Sequence, residues 1–376
     1  QLFRALVSRN VIEFIPQTAD GAKLRVNLDL QQDFSMDQVL SLYLLETLPL
    51  LDAESPEYAL DVLTLVESIL ENPELILRKQ LDRVKDQAIA AWKAEGMEYD
   101  QRMEEMEKLE YPKPLREFVY DTFNAFADRH PWVGEEAIRP KSIAREMFQN
   151  FRSFAEYVLD YELQRSEGLL LRHLNSVYKV LSQTVPDGLK NDEVREMELY
   201  LQTLLRAVDS SLEDEWERMR DPNYQPLAAR GTTELRPPGA EAALADITRD
   251  TKAFTALVRT RVFTFLRAWS IGDHVRALEA LDLAPQTDDV QWDADRLKAA
   301  LDTWNSEHTQ LRFDPEARNL RHTHVKVAED GLSWRVQQVL VDAEQEFDWM
   351  ADFHVDLPAS TEASRPVLWL RALGPV

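Results

Sequence analysis

The chain has 376 residues, with 43 Lys and Arg against 67 Asp and Glu, giving a formal charge of −24. Hydrophobic residues at 44% and charged residues at 29% describe a globular protein with a sizeable core and room for two or three domains. The complete absence of cysteine excludes zinc ribbons, thiolate nucleophiles and disulfide frameworks. There is no run of eighteen apolar residues and no basic segment leading into a short apolar one, so neither a membrane span nor a secretory signal is predicted. The expectation is a soluble, cytoplasmic protein with no membrane partner. Gln1 in first position points to a piece of a longer chain.

Residues 1–34 are short and mixed. Leu2 to Ser8 has the pattern of a helix end, Val11 to Ile15 alternates like a strand, Ala19-Asp20-Gly21 is turn chemistry, and Lys23 to Leu28 alternates again. Helix, strand, turn, strand is the order of the last part of a winged helix. A lone hairpin packed on a helix has the same pattern.

Residues 35–222 are predicted as a helical bundle. Ser35 can cap a helix carrying Val39, Leu42, Leu45 and Leu48, and Ser55-Pro56-Glu57 opens the next with proline in the first turn. Asn72-Pro73 ends that helix and starts a third at Glu74. The stretch from Ala94 to Glu110 is acidic and predicted as a solvated helix. Helices are expected at Leu115–Arg129, Lys141–Glu162, Glu167–Gln183 and Asp192–Arg220, separated by Pro, Gly or Asp-Gly punctuation.

Residues 223–245 are rich in Pro and Gly and have no apolar period, as a linker requires. Residues 246–376 change character. Ile247 to Trp269 and Asp293 to Leu311 are helical in pattern, whereas His322–Val327, Ser333–Val341, Phe347–Val355 and Pro366–Leu373 alternate as strands, with Gly331 turning the first pair. Helices followed by an antiparallel meander make an α+β domain, so the whole chain is expected to be mainly α.

No phosphate-binding loop of the form G-x-x-x-x-G-K-[ST], no G-x-G-x-x-G cradle and no G-x-S-x-G elbow occurs. No catalytic residue is assigned, and whether the chain is an enzyme stays open. His322-Thr323-His324 has a metal-like spacing, because i and i+2 share a face of a strand, and His308, His354 or Glu344 would have to supply a third ligand. An exposed pair on an edge strand explains the same residues, and no metal is assigned. Two basic groupings stand against the acidic background. Arg139, Lys141 and Arg145 lie at and after a helix start; Arg172, His173 and Lys179 share a later helix, with Arg172 and Lys179 on one face. Cations gathered at one groove suit phosphate, while ordinary pairing with nearby carboxylates is the competing explanation.

The run from Tyr161 through Glu167-Gly168-Leu169-Leu170-Leu171-Arg172-His173-Leu174 to Gln183 resembles the terminal helical module of superkiller-type DExH-box RNA helicases. The wider run is similar to the region that follows the motor in a bacterial DEAD/DEAH-box helicase family. It takes in Phe34-Ser35-Met36-Asp37, Glu110-Tyr111-Pro112-Lys113-Pro114, His130-Pro131-Trp132 and Arg139-Pro140-Lys141-Ser142. What the resemblance implies is a winged helix and bundle that close a channel around a single strand of RNA or DNA, beside two ATP-hydrolysing domains. Arg172 would face the strand, with His173 and Lys179 as weaker candidates. ATP and Mg2+ would belong to N-terminal motor domains, since the Walker loop and the DExH box are absent here; this chain itself would hold no cofactor. In element order the last domain resembles the cone-shaped, SnoaL-like α+β fold, on Phe265-Leu266-Arg267-Ala268-Trp269, Gly272-Asp273 and Ala277 to Leu281. That resemblance allows a pocket near His322, His324, Trp334 and Asp348, as an enzyme or ligand site. A protein-interaction scaffold using the acidic helices around 94–110 is the third reading.

Overall fold

A computed structural model describes residues 12–18, 21–26, 38, 40–133, 138–208, 247–284 and 291–376. The chain divides into two compact units, the first comprising residues 1–147 and 153–222 and the second residues 148–152 and 223–376. It is mainly helical and carries a four-stranded antiparallel sheet at its C-terminal end, the fold class predicted. Among the described residues no helix is long and apolar enough to cross a membrane.

In the first unit, β1 (Ile12–Thr18) and β2 (Gly21–Val26) pair antiparallel, with Ile12 opposite Val26 and an irregular register between Ile15 and Thr18. The helix expected over residues 2–8 and the linker over 223–245 lie outside the described residues. Among the described residues, eight α-helices follow the short α1 (Ser41–Thr47): α2 (Tyr58–Ser68), α3 (Glu74–Ala94), α4 (Tyr99–Glu107), α5 (Arg116–Arg129), α6 (Ile143–Gln149), α7 (Phe154–Asp160), α8 (Glu167–Gln183) and α9 (Asp192–Val208). The last of these was expected to run to Arg220; residues beyond Val208 lie outside the described ones.

α2 is the core of the bundle. Every residue of it except Asp61 is buried (Leu60, Val62, Leu63, Leu65 and Val66 are all 0–1% exposed), as in a helix surrounded by others. Each such side chain contributes about 1.5–3 kcal/mol through burial. Its two aliphatic hydroxyls are satisfied locally, Thr64 Oγ1 donating to the Leu60 carbonyl at 2.9 Å and Ser68 Oγ to the Thr64 carbonyl at 2.7 Å. α1 presents Tyr43 edge-on to Phe123 and Phe126 of α5, at 5.5 Å in both cases. By contrast α4 buries no residue, as its acidic sequence predicts.

The single helix expected over Lys141–Glu162 is two. The break falls at Phe151, whose φ of 47° is incompatible with a right-handed helix. Ser153 then starts α7 with a reciprocal cap: its hydroxyl accepts from the Glu156 amide at 3.2 Å, and its own amide donates to the Glu156 carboxylate at 2.8 Å. Ser153→Ala is expected to cost about 1 kcal/mol, read as a shift of the denaturant midpoint at unchanged slope.

In the second unit, α10 (Thr251–Ser270), α11 (His274–Glu279) and α12 (Ala294–Glu307) precede β3 (Thr323–Val327), β4 (Ser333–Val339), β5 (Trp349–Asp356) and β6 (Val367–Pro375). The strands pair in chain order, all antiparallel. Alternation places Trp334, Val336, Phe353, Val355, Leu368 and Leu370 on the buried face, in mutual register across β4, β5 and β6. α10 covers that face: Phe254 meets Trp334 at 5.0 Å and Phe265 meets Phe353 at 5.6 Å, both edge-on. Gly331, with φ of 68°, makes the β3–β4 turn as expected. The meander is interrupted by α13 (Leu357–Ala363), which was not predicted. Asp356 caps it by accepting from the Ala359 amide at 2.9 Å, and Pro358 sits in its first turn. Asp282 ties the unit together by accepting from Arg261 and Arg365 at 2.8 Å each and from the Leu368 amide at 3.0 Å.

Candidate nucleic-acid interface

The first basic grouping is not a surface. Lys141 is fully buried, and its ammonium donates to the Leu70 carbonyl at 2.9 Å, Asn72 Oδ1 at 3.1 Å and the Arg139 carbonyl at 3.1 Å. Burial pushes its pKa down to about 8, the Arg139 guanidinium adds to the fall, and Glu67 and Glu74 oppose it. Arg145 donates to Asp61 at 3.0 Å, Thr64 at 2.9 Å and Glu57 at 2.9 Å, which fastens the start of α6 to α2. Arg139 meets Glu74 at 3.0 Å on the surface. Arg139, Lys141 and Arg145 therefore do not gather their charges at one open groove. Each cation has a carboxylate or carbonyl partner, and Lys141 cannot reach a strand lying outside the bundle.

His173 is also internal. Its Nε2 lies 3.1 Å from Glu67 Oε1, and Glu67 is fully buried at the end of α2. The same carboxylate accepts the Ile143 and Ala144 amides at 2.9 Å and the Arg145 amide at 3.1 Å. These are first-turn N–H groups of α6 that have no helical acceptor, so Glu67 caps one helix while bonding to a second. Sequence reasoning missed Glu67. It stands in the mostly apolar run Leu63 to Leu70, and a carboxylate among so many buried aliphatic side chains is the signal that could have found it.

Arg172 differs from its neighbours. α8 carries it to the rim of a cleft of about 310 Å3, whose walls include Asn72 and Pro73 on one side and Leu169, Arg172 and His173 on the other. Its side chain is 72% exposed, and the nearest carboxylate, on Glu71, is 3.9 Å away and 92% exposed. A pair so open to water contributes little and leaves the guanidinium available to another anion. Behind the rim, the amide of Asn72 bridges the cleft to the Lys141 ammonium. An exposed planar cation over a polar cleft suits a phosphate oxygen or the face of a base. Lys179, half-buried further along α8, is not among the residues lining the cleft.

The four residues expected to share a pocket in the second unit are not brought together. His322 is buried, stacks on Phe347 at 5.3 Å, and accepts from Arg321 Nε at 3.0 Å through Nε2, which occupies the lone pair a metal would need. Burial and the neighbouring guanidinium hold its pKa below the usual histidine value. His324 is exposed on the edge strand β3. Trp334 is buried against Phe254, and the Asp348 carboxylate lies 3.5 Å from a different imidazole, that of His308. Among the described residues the His322-Thr323-His324 pair gathers no third ligand.

A family model described as a domain of unknown function (DUF3516) matches residues 1–373. No curated protein and no solved structure matches the chain.

Proposed function

The chain belongs to the DUF3516 family, and we propose that it serves as a non-catalytic accessory region of an ATP-dependent RNA or DNA helicase in the cytoplasm, guiding a single strand and bracing the motor domains. The observation that carries this reading is the Arg172 cleft: an exposed guanidinium at the mouth of a polar hollow, on the helix whose sequence resembles the helicase module. ATP and Mg2+ act in the motor domains on this reading, and no chemistry is asked of the present chain. A chain at −24 repels a polyanion broadly, so contact has to be local and few phosphates are engaged.

Labelled single-stranded RNA and DNA, titrated with the chain at low salt and followed by fluorescence anisotropy, should bind with a shallow salt slope. Arg172→Ala should weaken binding by about three- to tenfold and reduce that slope by about one. If neither strand binds at low salt, or if the variant binds as tightly as the parent, the strand-guiding role fails. A scaffold reading then moves ahead, favoured by α4, where Tyr99 and Met103 are exposed one turn apart on an acidic helix.

A further inference from the structure

His308 follows the last turn of α12 and is almost completely enclosed, its side chain 1% exposed. The ring stacks on Trp304 at 4.3 Å and meets Trp349 of β5 edge-on at 6.2 Å, so two tryptophans from different elements fix its plane. Nδ1 lies 3.0 Å from Asp342 Oδ2. Donation from Nδ1 to that carboxylate oxygen leaves Nε2 as the ring nitrogen that can offer a lone pair.

That lone pair has no hydrogen-bond partner among the described residues, although the atom is out of contact with water. It faces Asp348 Oδ1 at 3.5 Å, and the Glu346 carboxylate lies beside the same ring, 3.8 Å from Nδ1. An acceptor nitrogen facing a carboxylate oxygen is repulsive until something positive sits between them. One ligand atom from each of His308, Glu346 and Asp348 falls within 4.8 Å of the others. Ligands around one tetrahedral ion sit about 3.3 Å apart, and the two carboxylates, on half-exposed side chains, are free to close that difference.

We infer that His308 Nε2, Glu346 and Asp348 bind a divalent transition-metal ion, with Asp342 orienting the imidazole from behind and water completing the coordination. An imidazole held by a carboxylate through its other nitrogen is the usual arrangement of a metal-ligating histidine. One nitrogen and two carboxylate oxygens suit zinc or manganese better than calcium or magnesium, which take oxygen ligands. Glu344 is excluded from the set because its carboxylate accepts from Thr309 Oγ1 at 2.6 Å. The half-exposed carboxylates give the ion a route in from solvent, while the buried ring fixes where it stops.

The whole chain, stripped with chelator and titrated with Zn2+ by calorimetry, should take up one equivalent with a dissociation constant in the micromolar range or below. The double variant Glu346→Gln with Asp348→Asn changes two surface side chains and leaves the His308 packing in place. It should bind at least tenfold more weakly while its circular dichroism and melting temperature without metal match the parent. Absence of saturable binding by the parent would overturn the site. So would undiminished stoichiometric binding by the double variant, which would assign the ion to carboxylates elsewhere on this acidic chain.

Discussion

Glu67→Ala is expected to destabilise the helical unit by about 3–5 kcal/mol, and Glu67→Gln by about 2 kcal/mol. The Glu67 carboxylate is wholly buried and accepts from four donors: the Ile143, Ala144 and Arg145 amides and His173 Nε2. Alanine leaves all four without a partner in a space that water does not reach. Glutamine is gentler, and the geometry says why. Oε1 takes three of the contacts and Oε2 only the Arg145 amide, so an amide oriented with its oxygen at the Oε1 position loses one bond and the charge. The seven residues of α6 cannot hold a helix by themselves, since a helix so short is marginal without tertiary support. Hydrogen exchange at the amides of residues 143–145 reads the effect directly and separates it from unfolding elsewhere. Unchanged protection there in Glu67→Ala would show that the α6 start is held by the Arg145 side chain alone.

The second unit was more legible than the first, for a physical reason. A strand with one buried face writes its register into every second residue, and the four predicted strands lie within about two residues of β3, β4, β5 and β6 at most ends. Glu167–Gln183 was also bounded correctly, because Ser166 and the Thr184-Val185-Pro186 stretch punctuate it. The break between α6 and α7 was missed because the apolar period continues across Phe148, Phe151 and Phe154. Only the Ser153–Glu156 spacing marks the new start, and a cap signal is weak beside an unbroken stripe. α13 was also missed, because seven residues are too few to show a helical period.

The candidate site was legible only in part. Arg172 was singled out, through the resemblance, as the residue that would face the strand, and it lies at the cleft. Lys141 and His173 were taken as surface groups because charge is ordinarily exposed. Their burial depends on acceptors more than sixty residues away in sequence, Leu70 and Asn72 for one and Glu67 for the other. The same holds for His308. It was weighed as a third ligand for His322 and His324, whereas its actual neighbours come from residues 342–348, a loop with positive φ at Gln345 and Phe347 that no hydrophobic period could announce.

Lys141 should give the first unit an alkaline gain in stability. An unfolded lysine titrates near 10.5, and burial brings the folded group down to about 8. Below about 8 both states carry the proton, and the folded chain bears the full cost of enclosing the charge. Between about 8 and 10.5 the unfolded chain still binds a proton that the folded chain has released, so stability rises with pH through that window. The span corresponds to about 3 kcal/mol, an upper figure because the three acceptors around the ammonium lose part of their bonding when it becomes an amine. Other lysines and tyrosines titrate in the same range, so the informative quantity is a difference. Lys141→Met keeps the length of the side chain and removes the titration. Urea unfolding of both proteins at pH 7.5, 9 and 10.5 should show the parent gaining on the variant at each step. A constant difference across the three would mean that the ammonium remains solvated, and the seal between Asn72 and the α6 start would then be open to water. A rising difference would fix the cleft beside Arg172 as a hollow with a dry floor, in which the Asn72 amide is held by a charge that neutral pH retains.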